Sequence, residues 1–244
     1  MNLYDPAGPA WKYGPGADCN PITFGGVGDG HLRPRAMIDG PDGMIYVGSE
    51  PPYGQHGGAM AVWDPRPNKT VENYRHLVQN QGIVSLAWEP KSGLIFGGSG
   101  NWGGGGTRPV EKEAKFFAFD PKTKQKVFET ALVAGVRSYP ATLAAGGMVY
   151  TTAGSQLFVF DPRARKVVKT IVVPGKQAEI SLGRHASGRL VGLTGTSVYV
   201  FDSAKGEITH TAKAPVPIRC GFALTDEAVY FGSGVTLWRY RLPP

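Results

Sequence analysis

The sequence predicts an all-β fold assembled from a repeated four-stranded unit, and three observations predict it. One phrase recurs along the chain: MAVWDP ends at Pro65, FFAFDP at Pro121, LFVFDP at Pro162 and VYVFDS at Ser203, and Asp120, Asp161 and Asp202 follow one another at intervals of 41 residues. Each phrase comes after two short apolar runs joined by a tight turn, the signature of a hairpin. The 244 residues include 35 Gly and 20 Pro beside 41% hydrophobic residues, a composition suited to many turns between buried strands. Self-similarity at a period near 40 residues marks stacked units, none of which buries its apolar face alone. Four short strands per unit at that period define a β-propeller of about five four-stranded blades.

Taken in order, residues 1–34 form an N-terminal strap and loop, and the blades occupy 35–244. Within the strap, NLYDP copies the end of a repeat and WKY at Trp11–Tyr13 reads as one outer strand. A stretch too dense in Gly and Pro for regular structure then leads to His31, Arg33 and Arg35. Five hairpins follow. They pair AMID with MIYVGS, VSLAWEP with LIFGGS, PATLAA with MVYTTA, ISLGRHA with LVGLTG, and CGFALT with AVYFGS. The aspartate-marked strand comes next in each unit, then usually a polar turn and a fourth strand such as KVFETA, KVVKTIVV or EITHTA. Strands dominated by Val, Ile, Leu, Tyr and Phe suit burial on both faces between neighbouring blades.

The fifth unit stops after three strands, at LWRYRLPP. Two arrangements stay open. In the preferred one the ring closes when AWKYG pairs into the last blade, which removes long apolar edges and brings Cys19 near Cys220. In the other, NLYDP is the third strand of a blade whose beginning is missing, and the chain is the C-terminal part of a larger propeller.

The strand and turn of LFVFDP and VYVFDS resemble the YVTN and quinoprotein-like propeller repeats. That group includes pyrroloquinoline-quinone dehydrogenases, streptogramin-lyase-like proteins and non-catalytic scaffolds. The resemblance implies the fold over residues 36–241; the residues that carry it are structural and transfer no chemistry. The tryptophan docking repeats of a quinone site are not found here, and the sequence assigns no cofactor. Trp63-Asp64 occurs once without a preceding Gly-His, which argues against WD40 repeats.

A formal charge of +7 and a pI near 9.4 point to an anionic partner: a uronic-acid glycan, a phosphate compound or nucleic acid. Nucleic acid ranks last, because the basic residues are not interleaved with aromatics along a strand. A protein partner is the other possibility. No apolar run reaches the length of a membrane span, and the N-terminus lacks a secretory pattern. As written the chain reads as cytoplasmic, or secreted if a leader has been removed. Two cysteines without C-x-x-C spacing read as buried thiols.

Up-and-down strand order places the function. With strands a to d numbered outward from the channel, b–c connections and d-to-a links share one face of the ring. From the middle of strand b to the aromatic before the aspartate position there are 11 residues in units three to five, 18 in unit one (Ile45 to Trp63) and 24 in unit two (Ile95 to Phe119). Units one and two therefore carry insertions, EPPYGQHGGA and NWGGGGTRPVEKEA, on one face, where function usually lives.

Residues just ahead of strand a join them there. The expected catalytic group is His31, Tyr53, His56, Arg137 and Tyr139; the expected ligand-binding group is Arg33, Arg35, Trp102, Glu179 and Arg219. Guanidinium groups suit planar carboxylates and aromatic rings suit sugar faces. The constellation therefore predicts an acidic-glycan protein. In its catalytic form it is a lyase: arginine neutralises the uronate carboxylate, and His or Tyr removes the C5 proton. The alternative is a non-catalytic propeller binding a protein or small anion on the same face. Arg35, Arg137 and Arg219 also have a structural role open to them, bonding channel carbonyls. His31, His56 and Glu50 lack a metal-binding spacing, so no metal is assigned.

Overall fold

The computed structural model describes residues 1–14 and 18–243, with backbone alone at 177–180. A short antiparallel pair, β1 (Asn2–Leu3) and β2 (Ile22–Thr23), precedes five antiparallel sheets. Blade one holds β3 (Arg33–Asp39), β4 (Ile45–Glu50), β5 (Ala59–Asp64) and β6 (Lys69–Arg75). Blade two holds β7 (Gly82–Glu89), β8 (Leu94–Gly100), β9 (Phe116–Asp120) and β10 (Gln125–Thr130). Blade three holds β11 (Thr142–Ala145), β12 (Met148–Ala153), β13 (Gln156–Asp161) and β14 (Lys166–Val172). Blade four holds β15 (Gln177–Arg184), β16 (Leu190–Thr194), β17 (Ser197–Asp202) and β18 (Glu207–Lys213). Blade five has three strands, β19 (Cys220–Leu224), β20 (Ala228–Ser233) and β21 (Thr236–Arg241). The inner strands β3, β7, β11, β15 and β19 pack in series. This is the predicted all-β propeller, and one 3-10 turn at Pro41–Gly43 is the only helical element among the described residues.

The third strand of each blade explains the repeated phrase. In blades one to four its alternating side chains are buried on both faces, because one set meets the preceding blade or the N-terminal segment and the other the following blade. In β13, Phe158 and Phe160 pack against Phe96, Phe116 and Ala118 of blade two, while Leu157 and Val159 pack toward Leu190 and Tyr199 of blade four. Phe160 alone lies 5.1 to 5.8 Å, ring centre to ring centre, from Phe96, Phe116 and Phe128. Such aromatic contacts add about 0.5–1.5 kcal/mol each beyond area burial. The same division holds for Phe117 and Phe119 toward blade one and for Tyr199 and Phe201 toward blade three.

The register bears out the count made on the sequence. Ile45 pairs with Trp63, Ile95 with Phe119, Val149 with Phe160, Leu190 with Phe201 and Val229 with Tyr240. The extra residues of blades one and two therefore lie between strands that are themselves in standard register.

The repeated aspartates close the c–d turns. Asp161 Oδ1 accepts hydrogen bonds from the backbone N–H of Arg163 at 2.8 Å and Ala164 at 3.0 Å. Asp120 and Asp202 do the same for the two backbone N–H groups that follow them by two and three positions. Asp64 receives both the N–H and the side chain of Arg66. Donation by the backbone N–H groups holds the Asp161 and Asp120 carboxyls below their usual range, and the Arg66 side chain does so for Asp64.

The N-terminal segment departs from the expected closure. Met1, Phe24 and Val27 pack on Val47, Ala61 and Trp63 of blade one, so the segment covers the face that blade one turns away from blade two. AWKYG does not pair into blade five. Lys12 bridges to Asn20 instead, and Trp11 and Tyr13 are exposed. The physical reason is the Trp63 side of blade one, which that apolar trio shields from water. Cys19 is buried within this segment beside Gly14, Cys220 is exposed beside Gly232, and both thiols are free.

Two stability effects follow. The depressed aspartates contribute stability that is complete above about pH 4 and is lost as pH falls through their lowered values. In thermal melts across that window, Asp120→Asn with Asp161→Asn keeps the turn acceptors and flattens the acid-side loss of melting temperature. Tyr139→Phe, which leaves the Leu132 N–H without its buried acceptor, costs about 1–3 kcal/mol in denaturant unfolding.

Candidate functional site

Backbone hydrogen bonds establish which connections share a face. Gly58 N–H donates to Gln81 O, Asn101 N–H to Arg137 O, Val173 N–H to Ser155 O and Ala214 N–H to Thr196 O, all at 2.8–3.0 Å. Each bond joins a b–c connection to the link leaving its own blade. Buried hydroxyls at the ends of the second strands reinforce the same seam: Ser99 donates to Lys115 O at 3.0 Å and Thr194 to Pro174 O at 2.7 Å. These hydroxyls belong to the recurrent Gly-Ser and Thr endings of strand b, a sequence signal that the repeat contains and that pattern reading by apolar residues passes over.

On this face the two insertions latch onto each other. Gly54 N–H donates to Gly105 O at 3.0 Å, Gly104 N–H to Gln55 O at 2.8 Å, and His56 Nε2 to Arg108 O at 2.8 Å. The glycine run is what permits this approach. A Cβ on Gly104 would stand 1.8 Å from Pro52 O, and one on Gly105 would stand 2.5 Å from the Tyr53 ring. The run is thus a steric joint between loops, in keeping with its lack of phosphate-loop chemistry.

Beside the joint opens a pocket of about 340 Å³ lined by Arg33, Glu50, Pro51, Trp102 and Gly103–Gly105. Trp102 is half-buried, its ring lying over Gly100. The Glu50 side chain is 11% exposed and stands between two guanidinium groups, with Oε2 at 3.7 Å from Arg33 Nη1 and Oε1 at 3.4 Å from Arg35 Nε. Arg33 is 62% exposed and Arg35 23%. Arg33 therefore faces the pocket, while Arg35 helps wall a separate inner cavity of about 460 Å³ between the first strands, with Met37, Val84, Ser85, Thr142 and Leu182. The hydroxyls there are engaged: Ser85 donates to Tyr139 O at 2.7 Å and meets Thr142 Oγ1 at 2.8 Å.

The remaining expected site residues divide. Arg137 is exposed and its carbonyl anchors the base of the Trp102 loop, which puts Arg137 and Tyr53 on one face. Tyr53 is 69% exposed at the latch. Tyr139 is fully buried, and its hydroxyl accepts the Leu132 N–H at 2.7 Å, so it belongs to the core between blades two and three and not to the mouth. Burial also pushes its phenol above the ordinary value.

His31 sits inside a hydrogen-bond chain. Asn73 Nδ2 donates to Asp29 O at 2.8 Å, which aims Asn73 Oδ1 at His31 Nε2, 3.0 Å away. Nε2 thus carries the proton, and Nδ1 accepts from Ser49 Oγ at 2.6 Å. Burial lowers the His31 pKa against the opposing pull of Asn73. Arg219 is exposed, and its N–H donates to Gly232 O at 3.0 Å in blade five. The side chain of Glu179 lies outside the described residues. Among the described residues no three His, Cys, Asp or Glu side chains gather as metal ligands do.

The fold and this loop-bearing face define a β-propeller repeat protein. No family model and no curated protein matches the chain. Among solved structures, 988 chains match, a breadth that marks a common scaffold and says nothing of activity. One of them is Kuenenia stuttgartiensis hydrazine synthase, at 15% identity and a TM-score of 0.62. The match covers 85% of this chain and 59% of that one. Similarity at that identity extends to the fold alone.

The latch generates a direct test. Gly104→Ala forces the two loops apart, so limited proteolysis cuts within 50–58 and 101–114 far faster than in the unaltered protein, while the melting temperature of the blades stays nearly unchanged.

Proposed function

We propose that this propeller binds an acidic saccharide in the pocket between its two long loops. Arg33 takes the carboxylate, Trp102 stacks under the sugar ring, and Glu50 orients Arg33 and accepts from sugar hydroxyls. The observation that carries the reading is that Arg33 and Trp102, distant in sequence, line one pocket whose wall includes a buried carboxylate. A guanidinium held by one carboxylate yet largely open to solvent is pre-ordered for a second, and the overall charge of +7 favours the approach of an anion.

Binding is better supported than β-elimination. A lyase needs a base with a free lone pair beside the sugar. Both nitrogens of His31 are occupied and Tyr139 is in the core, while His56 donates from Nε2 to the Arg108 carbonyl and keeps a lone pair on Nδ1, on a ring that does not line the pocket. Only Tyr53 of the expected catalytic group presents its ring to solvent without a hydrogen-bond duty of this kind.

Titration calorimetry with oligogalacturonate or alginate oligomers tests the reading. Arg33→Ala and Trp102→Ala each weaken binding at least about tenfold, roughly 1.4 kcal/mol, at unchanged melting temperature, and neutral oligomers of equal length bind no better than background. Growth of ultraviolet absorbance from an unsaturated uronate product would replace the binding reading with the lyase. Equal affinity of wild type and both variants would remove the site.

A further inference from the structure

Among the described residues, the register of the blades shows two faces that lack the partner every comparable face has. In each repeat the residue before the aspartate position turns toward the preceding blade or segment: Trp63, Phe119, Phe160, Phe201 and, in blade five, Tyr240. The residues one and three positions earlier turn toward the following blade, as Met60 and Val62 do, and Leu157 and Val159, and Val198 and Val200. In β21 those following-face positions are Leu237 and Arg239. Leu237 is 73% exposed, and Arg239 and Arg241 are exposed beside it.

The N-terminal NLYDP carries the complementary deficit. Tyr4 stands before Asp5 as Trp63 stands before Asp64, at the position that elsewhere meets a preceding blade. It is 50% exposed, with Trp11, 66% exposed, 5.5 Å away ring to ring. Met1, Phe24 and Val27 of the same segment are the residues packed on blade one. The apolar clusters of the described residues join the N-terminal segment to blade one and each blade to the next, and none joins blade five to the N-terminal segment.

We infer that the following face of blade five docks on the Tyr4–Trp11 face of a second copy of this chain, head to tail, repeating the contact between blades. Charge agrees with this pairing. Arg239 and Arg241 border the blade-five patch and the exposed Asp5 borders the other, so the guanidinium groups meet an acidic, aromatic surface suited to ion pairing and cation–π contact. Two like faces would instead set arginine against arginine. The interface is heterologous, and each dimer keeps one unused face of each kind, so association grows with concentration.

Sedimentation velocity on the full chain tests it with two surface substitutions, Tyr4→Glu and Leu237→Glu, whose fold is checked by circular dichroism. The wild type is expected to show a reversible rise in mass with concentration, and each variant alone to stay monomeric. A mixture of the two variants is expected to form dimers that grow no further, because the intact Leu237 face of one meets the intact Tyr4 face of the other. A wild type that is monomeric at every concentration overturns the inference. So does association of either variant alone at the wild-type level, or a mixture that remains monomeric while the wild type associates, the mark of a symmetric interface.

Discussion

The structure depends on one arrangement, the third strand of blades one to four buried on both faces. A strand packed on one side only would present an apolar face to water, and the blades are stable because each neighbour removes that face from solvent. Phe160, in contact with three other rings, shows the density of the arrangement. The consequence is quasi-one-dimensional: each blade answers to the two beside it, and what happens at the two ends of the series is decided by what remains to cover them.

The two rims of the propeller are held by different chemistry. On one rim the c–d turns are closed by carboxylates that accept backbone N–H groups, a local device complete within four residues. On the other rim, buried hydroxyls and backbone bonds tie the ends of second strands and the b–c connections to the links between blades, over separations of 18 residues and more. A rim anchored from beneath leaves its loops free to lengthen. That is where the two insertions grew, and their glycines let one lie against the other closely enough to form a pocket.

The same construction sorts the polar side chains of that rim. Arg33, Glu50 and Arg35 form a line of alternating charge from the loop pocket to the inner cavity. His31 and Tyr139 are wholly committed to holding the first blade and the core, and His56 gives one ring nitrogen to the joint between the loops. His31 is the plainest case, since its ring links the segment before β3 to Ser49 and Asn73.

By itself the sequence determined the period, the strand order, the register across b and c, and the rim on which the long loops stand. All of these follow from local patterns: alternation along a strand, spacing between aspartates, and the parity of up-and-down strands. It also brought Arg33 and Trp102 to the same rim. Tertiary structure alone decided that Tyr139 turns inward, because the side a residue faces in an irregular link depends on the cavity offered by Phe116 and Gly98 from another blade. It alone decided that the insertions interlock and that the N-terminal segment covers Trp63 instead of completing blade five. These are competitions between distant apolar surfaces for the same segment, and their outcome lies in packing geometry that no stretch of sequence carries within itself.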